Sequence, residues 1–396
     1  MGLKLLTLTA CLIIGSACAQ DVSLQKLIDD ANDSSSIPIP SGGYVLSEPL
    51  HINKNITLVG SPFAYIDARG ASQILQADNP KANVTIVNIL FMNGSGDYGG
   101  AIASQAKSLT IKGCSFLDNL AYYGAAIYQM GGNLQVIEST FEGNNATIWG
   151  AAIQDEAGDV LVESSKFTQN TGSRVIYVNG THPKQARVSV RDCDISENPG
   201  PYSDLSSGFS GAIVCENSTA LVDHCNIKGN KALVMTPTLL GGVNAGLSFG
   251  YSDVTLNDTL IEGNEALYVP ALSIGGNSRV MINRCTIAGN RALSVLYKGD
   301  QVDGDVAGIS ISVGSEVIMD DVSISNNQVG GECAAISNSG TLSLKNVRIY
   351  GNTAGNISSI RNSKHGRLIF GKDVQIYGNE APQDVYSEGP VKMDFD

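Results

Sequence analysis

The chain has 396 residues, a formal charge of −13, 44 glycines, 16% charged and 6% aromatic residues. Gly, Asn, Ser, Ile and Val suit many short strands joined by tight turns rather than long helices. With no basic block, the charge excludes a nucleic-acid partner, whose phosphates require clustered Lys and Arg, and disfavours polyanionic ligands.

Residues 1–19 read as a signal peptide. Lys4 precedes an apolar run over 5–15, and Ala17-Cys18-Ala19 is a small-x-small cleavage site, so the mature chain is expected to begin at Gln20. The lipobox-like Leu8-Thr9-Ala10-Cys11 lies inside the apolar run, and Gly15-Ser16-Ala17-Cys18 lacks the usual larger aliphatic residue at its first position. Secretion to the extracellular space or the cell surface is the expectation. No later segment is apolar and long enough for a transmembrane anchor.

Secretion permits disulfides. Cys114, Cys193, Cys215, Cys225, Cys285 and Cys333 remain after cleavage, with no C-x-x-C and only four histidines, so no zinc site is expected. Cys193 and Cys225 fall at equivalent repeat positions, where the strand spacing is slightly long for a disulfide, and buried thiols are the better reading. His224 adjoins Cys225, but neighbours in a strand face opposite sides, so the pair is not a catalytic dyad. Nine N-x-S/T sequons mark a glycoprotein surface if the source glycosylates.

Residues 20–50 form an N-terminal cap and the first strands. Over residues 23–32, Ser23 is a candidate N-cap, and Leu24, Leu27, Ile28 and Ala31 share one helical face. From 51 to 385 a repeat of at least 25 residues dominates. Asn recurs at Asn119, Asn144, Asn170, Asn198, Asn230, Asn264, Asn290, Asn327, Asn352 and Asn379. Phe or Ile stands three residues before each, and a small or β-branched residue five before. That alternation is a strand with one buried face. One winding cannot bury its own core, but stacked windings complete it. The expected fold is all-β, a right-handed parallel β-helix of about twelve rungs with a short N-terminal capping helix. A leucine-rich horseshoe would need regular Leu spacing, which is absent. Residues 386–396 are read as a C-terminal tail.

The G-A-A-I run at 150–153 and its relatives, with G-G-A-I at 99–102 and F-x-x-N at Phe116, Phe141 and Phe167, resemble the repeats of chlamydial polymorphic outer-membrane proteins. Similar windings occur in adhesin-like β-helix proteins of methanogenic archaea, and H-I-N-K-N-I-T-L-V-G at 51–60 is similar to the start of many such chains. The resemblance spans about residues 40–385. It implies an adhesin-like passenger; the membrane barrel of the chlamydial proteins has no counterpart in this sequence.

The recurring Asn residues read as an inward structural ladder, because Asn bonds turn backbone, tolerates left-handed conformations and can bond its copy in the next rung. A second column, four residues before the apolar residue of each small-residue run, holds Tyr98, Tyr123, Trp149, Phe209 and Tyr268. Such rings either grip sugars or a partner, or close the core at a turn. Insertions after Asn198, Asn230 and Asn290 leave the repeat at one edge, making Tyr202, Asp204 and Tyr297 contact candidates, unless the loops are neutral drift. Asp300, Asp303 and Asp305 could bind Ca²⁺ or act as paired carboxylates on a polysaccharide; no other cofactor is expected. Asp155, Glu156 and Asp159 read as a solvated turn. No Arg, Lys or His set completes a catalytic group beside either cluster.

The expected function is a secreted or cell-surface adhesin-like protein that binds carbohydrate or a surface protein without catalysis. The alternatives are a polysaccharide-active enzyme (lyase, glycoside hydrolase or epimerase) and a structural envelope protein.

Overall fold

A computed structural model describes residues 23–181, 185–200, 211–232, 234–235, 240–241, 244–298 and 300–394. The chain winds into a right-handed parallel β-helix. One face is a thirteen-stranded parallel sheet, with one strand per winding from Leu50–Ile52 to Gln383–Ser387. We call it the front sheet. The count is close to the dozen rungs that the repeat implies. A second sheet system takes two strands per winding, such as Asn133–Ile137 and Thr140–Glu142, with a left-handed residue, Glu138, between them. Short strands, among them Leu120–Tyr123 and Asn145–Trp149, make the corner that leads back to the front sheet.

Burial alternates along these strands, as in Asp159–Glu163, where Val160 and Val162 are buried between half-exposed neighbours. The inward residues merge into one continuous core. Within it Phe91, Phe116, Phe141 and Phe167 stack in consecutive windings with centroids 5.3, 4.7 and 4.6 Å apart.

The N-terminal end is closed by the helix Leu24–Asp30. The Ser23 hydroxyl accepts the Lys26 backbone N–H, and Leu24 and Ile28 are buried against the first winding. At the other end, Val391–Met393 pairs in parallel with Leu368–Phe370, so the sheet continues into the segment read as a tail. The signal-peptide segment lies outside the described residues.

The asparagine ladder is continuous. Nδ2 of Asn144 donates to Oδ1 of Asn170 at 2.9 Å and to the Phe116 carbonyl at 3.1 Å. The same side-chain bond links every successive pair from Asn119 to Asn379. One expectation needs correcting. The left-handed backbone belongs to the residue before each Asn (Asp118, Gly143, Gln169, Glu197, Gly229), not to the Asn itself. The Asn side chain satisfies buried backbone groups at the bend that its predecessor makes.

The six described cysteines are buried free thiols. His224 is exposed and Cys225 buried, but they are not strand neighbours: His224 is the left-handed bend between Ser218–Asp223 and Asn226–Lys228, and the bend, not strand alternation, turns the imidazole outward.

Candidate functional site

The outward-facing residues of the front sheet change character along the solenoid. Upstream, one outward column runs in register through Tyr128, Gln154 and Tyr177, and a parallel column through Met130, Glu156, Asn179 and Glu216. Downstream the first column holds Ser248, Ser273, Ser310 and Ser337, and ends on Arg361 and Tyr386. This column is therefore aromatic and amide-bearing over the upstream windings, serine-lined through the middle ones, and large again only at its end.

The aromatic column borders this region at the corner. Tyr98, Tyr123 and Trp149 are register partners in adjacent strands. Tyr98 and Tyr123 stack at 5.2 Å, and Trp149 meets Tyr123 edge-on at 5.7 Å. Tyr98 also packs against Tyr128 at 4.9 Å, which joins the corner to the front sheet. Tyr98 is 48% exposed, and Tyr123 and Trp149 are half-buried. The rings are thus a surface feature rather than a closure of the core, which the separate phenylalanine stack fills.

Arg174 completes the cluster. Nine residues separate Asn144 from Ile153, but six separate Asn170 from Ile176, so the later winding cuts the corner. Its small-residue position, Ala125 and Ala151 in the two preceding windings, becomes Arg174, and the long side chain fills the space left by the missing corner residues. Arg174 is 4% exposed. Its guanidinium carbon lies 4.0 Å from the Tyr177 ring centroid and 4.6 Å from that of Trp149. These are cation–π distances in a desolvated setting. Nη2 of Arg174 lies 3.8 Å from Glu216 Oε1, and the Tyr177 hydroxyl donates to Glu216 Oε2 at 3.1 Å. Burial, outweighing Arg174, pushes the Tyr177 phenol well above the usual tyrosine range. Burial, then the Glu156 charge, pushes Tyr128 up to about 12. Glu156 accepts from Gln154 at 2.7 Å and from Asn179 at 3.0 Å.

The acidic turn at 155–159 departs from the solvated reading. Asp155 is fully buried, facing the core in register with buried Gln129. One carboxylate oxygen accepts the Gly158 N–H at 2.8 Å, and the other has no partner. Burial raises its pKa to about 8.

The remaining candidates are dispersed. Tyr202, Asp204 and Phe209 lie outside the described residues. Tyr268 is half-buried and makes no ring contact with the column among the described residues. Tyr297 sits in a hairpin, Val295–Tyr297 against Asp300–Val302, with Lys298 Nζ 5.0 Å from its ring. Asp300, Asp303 and Asp305 do not gather into a cation-sized group. Asp303 is held below the usual carboxylate range by hydrogen bonds from Gln301 and Ser294; burial raises Asp305. Among the described residues, the grouping with cation-like spacing is Asp223, His224 and Asp258, and Asp258 already takes two Arg284 N–H groups at 2.8 and 2.6 Å.

Beside Tyr98 and Tyr128 a groove of about 560 Å³ is lined by Gln76, Asp97, Gln105 and Met130, with no Lys or Arg among its lining residues. Tyr128, Tyr177, Arg174 and Glu216 were not legible as site residues from the aromatic column alone. The available clue was the position after the apolar residue of each small-residue run, where Tyr128 and Tyr177 follow Ile127 and Ile176 and must point outward.

A family model described as right handed beta helix region matches residues 52–184, which include most of this cluster. No curated protein matches the chain. Among solved structures, a PL6 alginate lyase in complex with a trisaccharide aligns with a TM-score of 0.44 and 12% identity, over 93% of this chain and 82% of that chain. That likeness carries no conclusion about activity.

Proposed function

We propose that the protein is an exported, adhesin-like β-helix that binds neutral carbohydrate on the upstream half of its front sheet, without transforming it. The carrying observation is the register-aligned column Tyr98, Tyr123 and Trp149, exposed at Tyr98 and half-buried beyond it, whose Tyr98 lines a groove with acceptor groups and no lining cation. Sugar rings present C–H faces to aromatic planes and hydroxyl donors to carboxylates and amides. Uronate polymers suit this face poorly: Arg174 is buried under two rings and already faces Glu216.

One observation favours the enzymatic alternative. Arg174, Tyr177 and Glu216 converge on a single face, as acid–base chemistry on a polysaccharide would require. Against it, the Tyr177 phenol is pushed upward, so it stays protonated at neutral pH and cannot serve as a base.

A glycan array with purified protein, paired with a reducing-end and unsaturated-sugar assay, tests the proposal. Retention of a neutral glycan without product, lost in Tyr98→Ala or Trp149→Ala, is the expected result. Product formation abolished by Glu216→Gln moves the assignment to an enzyme. Absence of both binding and turnover leaves a structural envelope role.

A further inference from the structure

The strands of the front sheet begin at the aromatic corner and end at a second turn, which repeats in every winding. In three successive windings one position of that turn is occupied by Asn217, Tyr251 and Gly276, all left-handed, with φ of 49°, 52° and 61°. Gly and Asn adopt this conformation readily; a bulky aromatic does so only against its own preference. Tyr251 is nevertheless 62% exposed, so core burial does not explain its retention. Its ring lies along the solenoid over the next winding. There a Cβ at Gly276 would sit 2.8 Å from the ring, so only glycine leaves room for it. A groove of about 630 Å³ surrounds the ring. Asn217 and Asn277 line that groove, Asn217 in the winding before the ring and Asn277 in the winding after, with the Asn277 amide lying over Gly314 of the winding beyond.

We infer that Tyr251, flanked by the Asn217 and Asn277 amides, forms a second saccharide-binding site, at the edge of the front sheet opposite the Tyr98 corner. The ring supplies a flat apolar platform for one pyranose, and each amide offers both donors and an acceptor to hydroxyls at the sugar's margins. Arg279, also lining the groove, is 4.0 Å from Glu316, so its charge is matched within the site and a neutral sugar fits. A glycine beneath a left-handed residue recurs in this solenoid, as with Asp118 over Gly143; what sets Tyr251 apart is a bulky aromatic held in that strained conformation at an exposed position, the pattern of a residue placed for contact rather than for stability.

The experiment uses full-length protein labelled with 3-fluorotyrosine, titrated with cellohexaose, laminarihexaose, xylohexaose and chitohexaose. The Tyr251 resonance is identified by its loss in Tyr251→Gly. The expected result is a shift of that resonance with at least one hexaose, persisting in a Tyr98→Ala/Tyr123→Ala background. Tyr251→Gly and Tyr251→Asn are expected to melt at a higher temperature than the parent, because the left-handed position then holds a compatible residue. A silent Tyr251 resonance with all four sugars overturns the inference, as does a lower melting temperature in both variants, which would make the ring a packing element. A shift that vanishes when Tyr98 and Tyr123 are replaced sinks the second site and leaves the first standing.

Discussion

The guanidinium of Arg174 lies 4.0 Å from the ring centroid of Tyr177, while the Tyr177 hydroxyl bonds the carboxylate that faces the same guanidinium, Glu216. The three groups form a closed triangle that fixes the ring orientations. Nε and Nη1 of Arg174 have no hydrogen-bond acceptor, so the rings provide their compensation. Replacing Arg174 by Ala removes the cation–π contacts and opens a void, and should cost about 2–4 kcal/mol in urea unfolding. Arg174→Met keeps the volume, buries no unpaired donor and should cost about 1 kcal/mol or less. Trp149 fluorescence should change in both variants, since the charge leaves its face. Equal losses for Ala and Met would contradict the triangle.

The ladder predicts a position-dependent cost. Asn144→Ala leaves the Asn119 backbone N–H and side-chain amide, the Phe116 carbonyl and Asn170 Oδ1 short of buried partners. The expected loss is about 3 kcal/mol or more. Asn379 ends the ladder and is only half-buried, so Asn379→Ala should cost about 1 kcal/mol. Equilibrium unfolding of the two variants side by side decides this.

Asp155 predicts a pH dependence whose sign is fixed. Its carboxyl titrates at about 8 in the folded chain, against about 3.9 when unfolded. The folded state thus holds a proton that the unfolded state releases between these values. Its stabilising contribution is complete below pH 4, falls by ~1.4 kcal/mol per unit as pH rises, and levels off above pH 8. Glu156 and Asp159 reinforce the upward shift with their negative charge. Asp155→Asn, which keeps the acceptor for Gly158, should flatten the profile and be the more stable protein at pH 8. Melting curves at pH 5, 7 and 9 for both proteins test this.

The thiols should be inert while the fold is intact. Burial pushes Cys114 and Cys285 up to about 11 and Cys215 and Cys333 up to about 12. Thiolate is the reactive form, so iodoacetamide at pH 8 should leave these four unmodified in peptide maps. In guanidinium all four should be alkylated without prior reduction. A reductant should leave the melting temperature unchanged.

How much the sequence discloses depends on whether a residue acts through period or through context. Asn144 and Phe141 recur at fixed spacing, and stacking makes every copy do the same work, so the fold and ladder were legible. Tyr98, Tyr123 and Trp149 were legible for the same reason, although their exposure was not: spacing fixes a column and leaves open which side of the wall it faces. Arg174 was hidden because it is a departure from the period. Its role arises from a winding that is three residues short, which only the folded path reveals. Asp155 was misread because its neighbours are acidic and polar; only the register shows that it points inward while Glu156 points out. Asp300, Asp303 and Asp305 are close in sequence, but the hairpin does not bring them together.

The ladder has a polarity. From Asn119 to Asn352 each side-chain amide donates to the Asn of the next winding as well as to a carbonyl of the preceding one, and each Oδ1 accepts from the winding before it, beginning with the Gly94 N–H on Asn119. A completed winding therefore supplies the acceptor that its predecessor still needs, and itself waits on the next. Because every internal junction is the same junction, a whole winding can be inserted or removed with only two seams to heal. Length in this architecture is an inheritable variable, adjustable in steps of one strand spacing, and the distance from the Tyr98 corner to Tyr251 is set along the same ruler.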